Sequence, residues 1–137
     1  TVPLSDAAIK ILESQTNGGS DDFVFSMRAG KPMSDMTLGA VIKRMNKKQP
    51  ESRQFLDPDG RQACPHGFRS TFRMWAAEKS GFNRDVAEFA LAHKLPDEVE
   101  AAYQRGTQFV KRAEMMQAWA SFLLNPENTN DNEYRKK

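Results

Sequence analysis

The chain has 137 residues, enough for one domain with a buried core, and its 39% hydrophobic and 28% charged residues are ordinary for a soluble globular protein. No apolar run is long enough to span a bilayer, and the single cysteine, Cys64, excludes an internal disulfide and fits a reducing, cytoplasmic setting. The net charge of +2 is too small to name a partner, so its distribution along the chain has to.

In chain order, Thr1-Val2-Pro3-Leu4-Ser5 reads as the end of a strand entering a helix. Ser5 is the predicted cap, Leu4, Ala8 and Ile11 share a face, and Asn17-Gly18-Gly19-Ser20 ends the element. Phe23-Val24-Phe25 is a short strand candidate, and Gly30-Lys31-Pro32 a turn. Ser34 should cap a second helix carrying Leu38, Val41, Ile42 and Met45. Between Pro50 and Cys64 a polar loop is expected, turning at Asp57-Pro58-Asp59-Gly60. A third helix is predicted from about Pro65 to Ser80, burying Phe68, Phe72, Trp75 and Ala76 and stopping at Gly81. A fourth should run from Arg84 to Ala92, and a fifth should start at Pro96 and carry Val99, Ala102 and Tyr103. On the last, Phe109, Ala113, Met116, Ala120 and Leu123 form an apolar stripe widened by Met115, Trp119 and Phe122. Residues 1–124 are thus expected as one mainly α unit with a short β element, and Asn125–Lys137 as a flexible polar tail.

Charge is uneven. From Arg28 to Lys48 the bases Arg28, Lys31, Lys43, Arg44, Lys47 and Lys48 face one acid, Asp35. From Asp85 to Glu100 the acids Asp85, Glu88, Asp97, Glu98 and Glu100 outweigh Lys94. A basic segment in a near-neutral protein suits a nucleic-acid backbone, although a solvated helix face carries the same pattern.

The residues that bear chemistry are His66, Arg69, His93 and Tyr103. His66 and Arg69 are three apart and share a helix face, with Arg73 one turn further. Imidazole and guanidinium then sit near a helix N-terminus, where backbone N–H groups also favour an anion, and an arginine fork can engage two phosphate oxygens at once. Taken singly, these residues have plain readings as a capping histidine, a surface arginine, a helix-end histidine and a half-buried tyrosine. Their order makes the set informative: His93 follows Arg69 by 24 residues, and Tyr103 follows His93 by ten. No metal-ligand cluster or glycine-rich nucleotide loop accompanies them, so no cofactor is expected.

This order resembles the tyrosine recombinase (phage integrase) family, in its phage and genomic-island branch. The resemblance rests on Val2-Pro3-Leu4-Ser5, Pro32-Met33-Ser34, His66-Gly67-Phe68-Arg69-Ser70-Thr71-Phe72-Arg73, Val86-Ala87-Glu88, Ala90-Leu91-Ala92-His93, Glu100-Ala101-Ala102-Tyr103 and Met116-Gln117-Ala118-Trp119-Ala120. It implies the helical part of a recombinase catalytic domain in which Tyr103 is the nucleophile. Arg69 would be the second catalytic arginine, His66 the histidine of the His-x-x-Arg motif, and His93 the later histidine. Where many relatives read Leu-Gly-His, this chain has Leu91-Ala92-His93. The family's first arginine and its hairpin lysine would precede Thr1, so a C-terminal fragment inactive by itself is expected. Partners so implied are double-stranded attachment sites and other protomers, four in a synaptic complex, with no membrane. Arg28, Lys31, Lys43, Arg44, Lys47 and Arg73 are the candidate DNA-backbone contacts. The alternative is a helical DNA-binding module without catalysis.

Overall fold

In the computed structural model of the chain, residues 1–15, 23–28, 31–50, 53–57, 59–93 and 108–125 are described. They are mainly helical, with one short antiparallel strand pair. They fall into two units: Thr1–Ile11 with the residues from Arg69 onward, and Leu12–Phe68. The predicted helix at Pro96, the predicted stop signal at residues 17–20 and the tail beyond Asn125 lie outside the described residues.

In the first unit, α1 (Asp6–Glu13) opens as its sequence dictates. The Ala8 N–H donates to Ser5 Oγ at 3.3 Å, which satisfies one of the orphan donors of the first turn. Thr1–Ser5 forms no strand, contrary to expectation. Instead it enters the helix beside α5 (Phe109–Leu124): the Asp6 N–H donates to Gln117 Oε1 at 3.0 Å, and Gln117 Nε2 returns a bond to Asp6 Oδ2 at 3.4 Å.

The core is built by α3 (Pro65–Glu78), α4 (Arg84–Ala90) and α5. Phe72, Trp75 and Ala76 of α3, Val86 and Ala87 of α4, Leu91 and Met115 form its buried centre, and Met115 is fully enclosed. Trp75 and Trp119 approach to 4.9 Å between ring centroids, Phe72 meets Trp119 edge-on at 5.6 Å, and Phe122 stacks on Trp119. Such offset and edge-to-face pairs add to the simple burial of apolar area. At its end α3 releases the chain through Gly81, whose φ of +68° is the left-handed conformation that glycine adopts without strain.

Two buried faces differ in part from expectation. Phe68 is 59% exposed and contributes nothing to the core, because it sits in the first turn of α3, before the helix meets its partners. On α5 the predicted Met115, Met116, Trp119, Ala120 and Phe122 lie buried or against the core, joined by Arg112, and the two ends of the stripe, Phe109 and Leu123, are exposed.

In the second unit, β1 (Ser26–Arg28) pairs antiparallel with β2 (Lys31–Pro32), Ser26 opposite Pro32 and Arg28 opposite Lys31. The ladder therefore lies just after the aromatic run Phe23-Val24-Phe25, which is exposed and not in a strand, and Lys31-Pro32 is a strand where a turn was predicted. Next, α2 (Met36–Lys47) starts after Ser34, whose Oγ accepts the Met36 N–H at 3.4 Å. Only Ile42 of its predicted apolar face is buried, and Leu38, Val41 and Met45 are exposed. Asn46 is buried as well, because its side-chain amide pairs with both backbone groups of Phe55, accepting the N–H at 2.8 Å and donating to the carbonyl at 3.4 Å. Thereafter the loop turns as predicted. Asp57 Oδ1 accepts the N–H groups of Asp59 and Arg61, Gly60 has φ +76°, and Leu56 bridges to Gln62.

Candidate active site

Three elements of the first unit build the site: the middle of α3, the inner side of α4 and the turn that follows α4. The last of these is the least ordinary. After Ala90 the chain passes through Leu91, Ala92 and His93 in a Schellman arrangement: the His93 N–H donates to the Glu88 carbonyl at 2.9 Å and the Ala92 N–H to the Phe89 carbonyl at 3.1 Å. Ala92 has φ +54°, a left-handed conformation that glycine normally takes at this position. The fourth helix thus ends at Ala90, two residues before its predicted end, and the turn folds His93 back over Glu88.

The turn hands two groups to Arg69. Arg69 Nη2 donates to the Leu91 carbonyl at 2.6 Å and meets His93 Nε2 at 2.9 Å. On its other side His93 Nδ1 lies 2.7 Å from Glu88 Oε2, and Glu88 Oε1 accepts from Arg73 Nε at 2.7 Å. Arg84 Nε stands 4.0 Å from the same oxygen. The His93 hydrogen bond first, and then that of Arg73, hold the Glu88 carboxyl below its ordinary value, against the opposing effect of burial. Arg69 and His93 remain open to solvent, whereas the Glu88 side chain is only 14% exposed. The result is a cation and an imidazole side by side at the surface, braced from beneath by a carboxylate. Such a pair can receive a phosphate oxygen.

Of the sequence-derived candidates, Arg69 and His93 are brought together. His66 lies in the first turn of α3, exposed, one helical turn before Arg69 in sequence. Tyr103 lies outside the described residues. Arg73, a candidate DNA-backbone contact, is bonded to Glu88. In the second unit Lys31, Lys43, Arg44 and Lys47 are exposed, the last three around α2 beside its inward Ile42 and Asn46, and Arg28 is in β1. Glu88 carries the site but is not among the sequence-derived candidates. Its signal was present in the motif Val86-Ala87-Glu88, but a five-residue separation from His93 is not a helical neighbour distance, and only the left-handed turn at Ala92 closes it.

The family model described as Phage integrase family matches residues 1–108, a stretch that includes His66, Arg69, His93 and Tyr103. The chain belongs to the phage integrase family. Relatives of this integrase-family chain include the prophage integrase IntA of Escherichia coli (strain K12), 36% identical over 126 residues that make up 90% of this chain and 27% of the relative. The prophage integrase IntZ of the same strain is 31% identical over 89% of this chain and 28% of its own length. An integrase of Shigella phage Sf6 is 32% identical over 89% of this chain and 29% of its own. The chain therefore spans little more than a quarter of the length of the curated relatives it matches. No solved structure gives a significant match. Among the described residues no group of acidic, histidine or cysteine side chains could hold a metal, and no helix is long and apolar enough to cross a membrane.

Proposed function

We propose that this integrase-family chain acts in site-specific DNA recombination, the integration or excision of a phage or other mobile element, by cutting and rejoining strands through a 3′-phosphotyrosine. In this reading the Tyr103 oxygen attacks the scissile phosphorus as its proton departs. The P–O5′ bond breaks, the 5′ oxygen takes up a proton, and the DNA 3′ end is left esterified to the tyrosine. Attack by another strand's 5′-hydroxyl reverses the step and frees Tyr103. One phosphodiester is exchanged for another ester of similar energy, so the exchange needs no nucleotide hydrolysis. Arg69, with His66 and His93, would stabilise charge gathering on the non-bridging oxygens. Lys31, Lys43, Arg44 and Lys47, with Arg28, would hold the backbone of the duplex. The partners would be duplex attachment sites and further protomers, assembled as a tetramer at synapsis in the cytoplasm.

The observation that supports this reading is the Arg69–His93 pair at 2.9 Å, exposed at the surface and braced by Glu88 and Leu91. It is tested with the complete gene product and a nicked suicide duplex carrying its attachment site. A covalent protein–DNA adduct is expected, lost in Tyr103→Phe and reduced roughly 100-fold or more in Arg69→Ala. A protein that binds the duplex but forms no adduct would instead be a non-catalytic DNA-binding module.

A further inference from the structure

The hydrogen-bond chain through His93 has a direction that chemistry dictates. A guanidinium has only donors. Arg69 Nη2 at 2.9 Å from His93 Nε2 can bond there only if that nitrogen is the acceptor, without a proton. In the neutral ring the proton must then be on Nδ1, which lies 2.7 Å from Glu88 Oε2 and can donate to it. Free histidine in water favours the opposite tautomer, with the proton on Nε2. Something has to impose the less favoured form, and the carboxylate beneath the ring can do so.

Glu88 is itself held for this task. Arg73 Nε binds Oε1 at 2.7 Å, which fixes the carboxylate plane and turns Oε2 to the imidazole. The backbone fixes the ring from the other side: the His93 N–H is bonded to the carbonyl of the same Glu88. One residue thus grips His93 at its main chain and at its side chain.

We propose that Glu88 is a positioning residue that imposes the Nδ1–H tautomer on His93, so that Nε2 is the nitrogen turned to Arg69 and the phosphate. The consequence for catalysis rests on the recombination reading above; the tautomer does not. When a phosphate displaces the Arg69 contact, Nε2 is the atom left facing it, and the ring stays anchored to the carboxylate through Nδ1–H. Arg73 serves this arrangement as a strut.

The tautomer is read directly from the ring nitrogen-15 shifts of this chain at mildly alkaline pH, where imidazoles are neutral. The chain has only two histidines, so a His66→Gln sample assigns the signals. The expected result is a proton on Nδ1 of His93; a proton on Nε2 overturns the proposal. Because the Arg69 donor also demands an unprotonated Nε2, the role of Glu88 is tested in an Arg69→Ala background. There Nδ1–H should persist while Glu88 is present and move largely to Nε2 in Arg69→Ala/Glu88→Ala, with the Trp75 and Trp119 indole signals showing that the core persists. An unchanged Nδ1–H tautomer there overturns the proposal. If that variant does not fold, Glu88→Gln in the same background serves in its place: its amide has one acceptor oxygen for two donors, Nδ1–H and Arg73, so the single tautomer should give way to a mixture.

In the complete gene product, Glu88→Gln should slow adduct formation at saturating DNA by about 10- to 100-fold with duplex affinity unchanged, and should add little to His93→Ala. An undiminished rate in a variant whose tautomer has changed overturns the positioning role. Absence of any adduct from the unmutated protein defeats the recombination reading while leaving the tautomer result standing.

Discussion

Ala92 holds a conformation that its side chain opposes, and relieving it should stabilise the fold. At φ +54° the alanine Cβ crowds the following carbonyl, at a cost of about 1–2 kcal/mol relative to glycine. Replacing it with glycine also loosens the unfolded chain, which takes back about 0.4–1 kcal/mol. Ala92 is exposed, so little apolar burial is lost, and the bonds from Ala92 to Phe89 and from His93 to Glu88 use backbone groups that glycine retains. The expected net effect of Ala92→Gly is a gain of about 0.5–1 kcal/mol. With a urea slope of about 2 kcal/mol/M, the midpoint should rise by about 0.25–0.5 M at unchanged slope. The control is Ala40→Gly, exposed in the interior of α2, which should lose about 1 kcal/mol. Chemically identical substitutions are thus expected to have opposite signs. A loss of stability at Ala92, or the same sign at both positions, would refute the argument that the turn is strained.

Glu88 makes the fold acid-sensitive in a defined direction. Its carboxyl is held below its ordinary value of 4.5, so the stability it supplies is present above that pH and is lost as pH falls through the lowered folded value. Unfolding midpoints of the parent should therefore fall more steeply than those of Glu88→Gln on acidification below about pH 4.5, and parallel curves would contradict this. Met115 is fully enclosed, and Met115→Ala should cost about 2–5 kcal/mol in denaturant unfolding. Replacing Lys43, Arg44 and Lys47 together with alanine should weaken binding to all duplexes alike and lower the slope of log affinity against log salt by up to about 3, as measured by fluorescence anisotropy. An unchanged slope would mark the basic face of α2 as merely solvated.

Much of this architecture could be read from the residues, and the misreadings have identifiable physical origins. The third helix was legible because Pro65 and Gly81 punctuate it and Phe72, Trp75 and Ala76 recur at helical spacing. Likewise Ser5 announced α1, and Asp57 to Gly60 announced a turn. On α5 the widened stripe found Met115, Met116, Trp119, Ala120 and Phe122, but it overran at Phe109 and Leu123, and Arg112 is buried where a surface arginine would be assumed. The aromatic run Phe23 to Phe25 has strand propensity, yet the ladder formed on Ser26–Arg28, because pairing depends on the partner strand as well as on the residue. In the candidate site, Arg69 and His93 were legible through their order, while the brace was not. Spacing along a helix gives neighbours at three and four residues, and the Glu88–His93 contact exists only because Ala92 takes a left-handed turn after the helix has ended.

The measurement that bears most directly on the proposed chemistry is to digest the covalent adduct of the complete gene product with its attachment-site duplex and identify the modified residue by mass spectrometry. A nucleotide joined through its 3′-phosphate to Tyr103 is expected. A nucleotide on Ser70, on Tyr134 or on any other side chain, or a linkage through a 5′-phosphate, would contradict that chemistry.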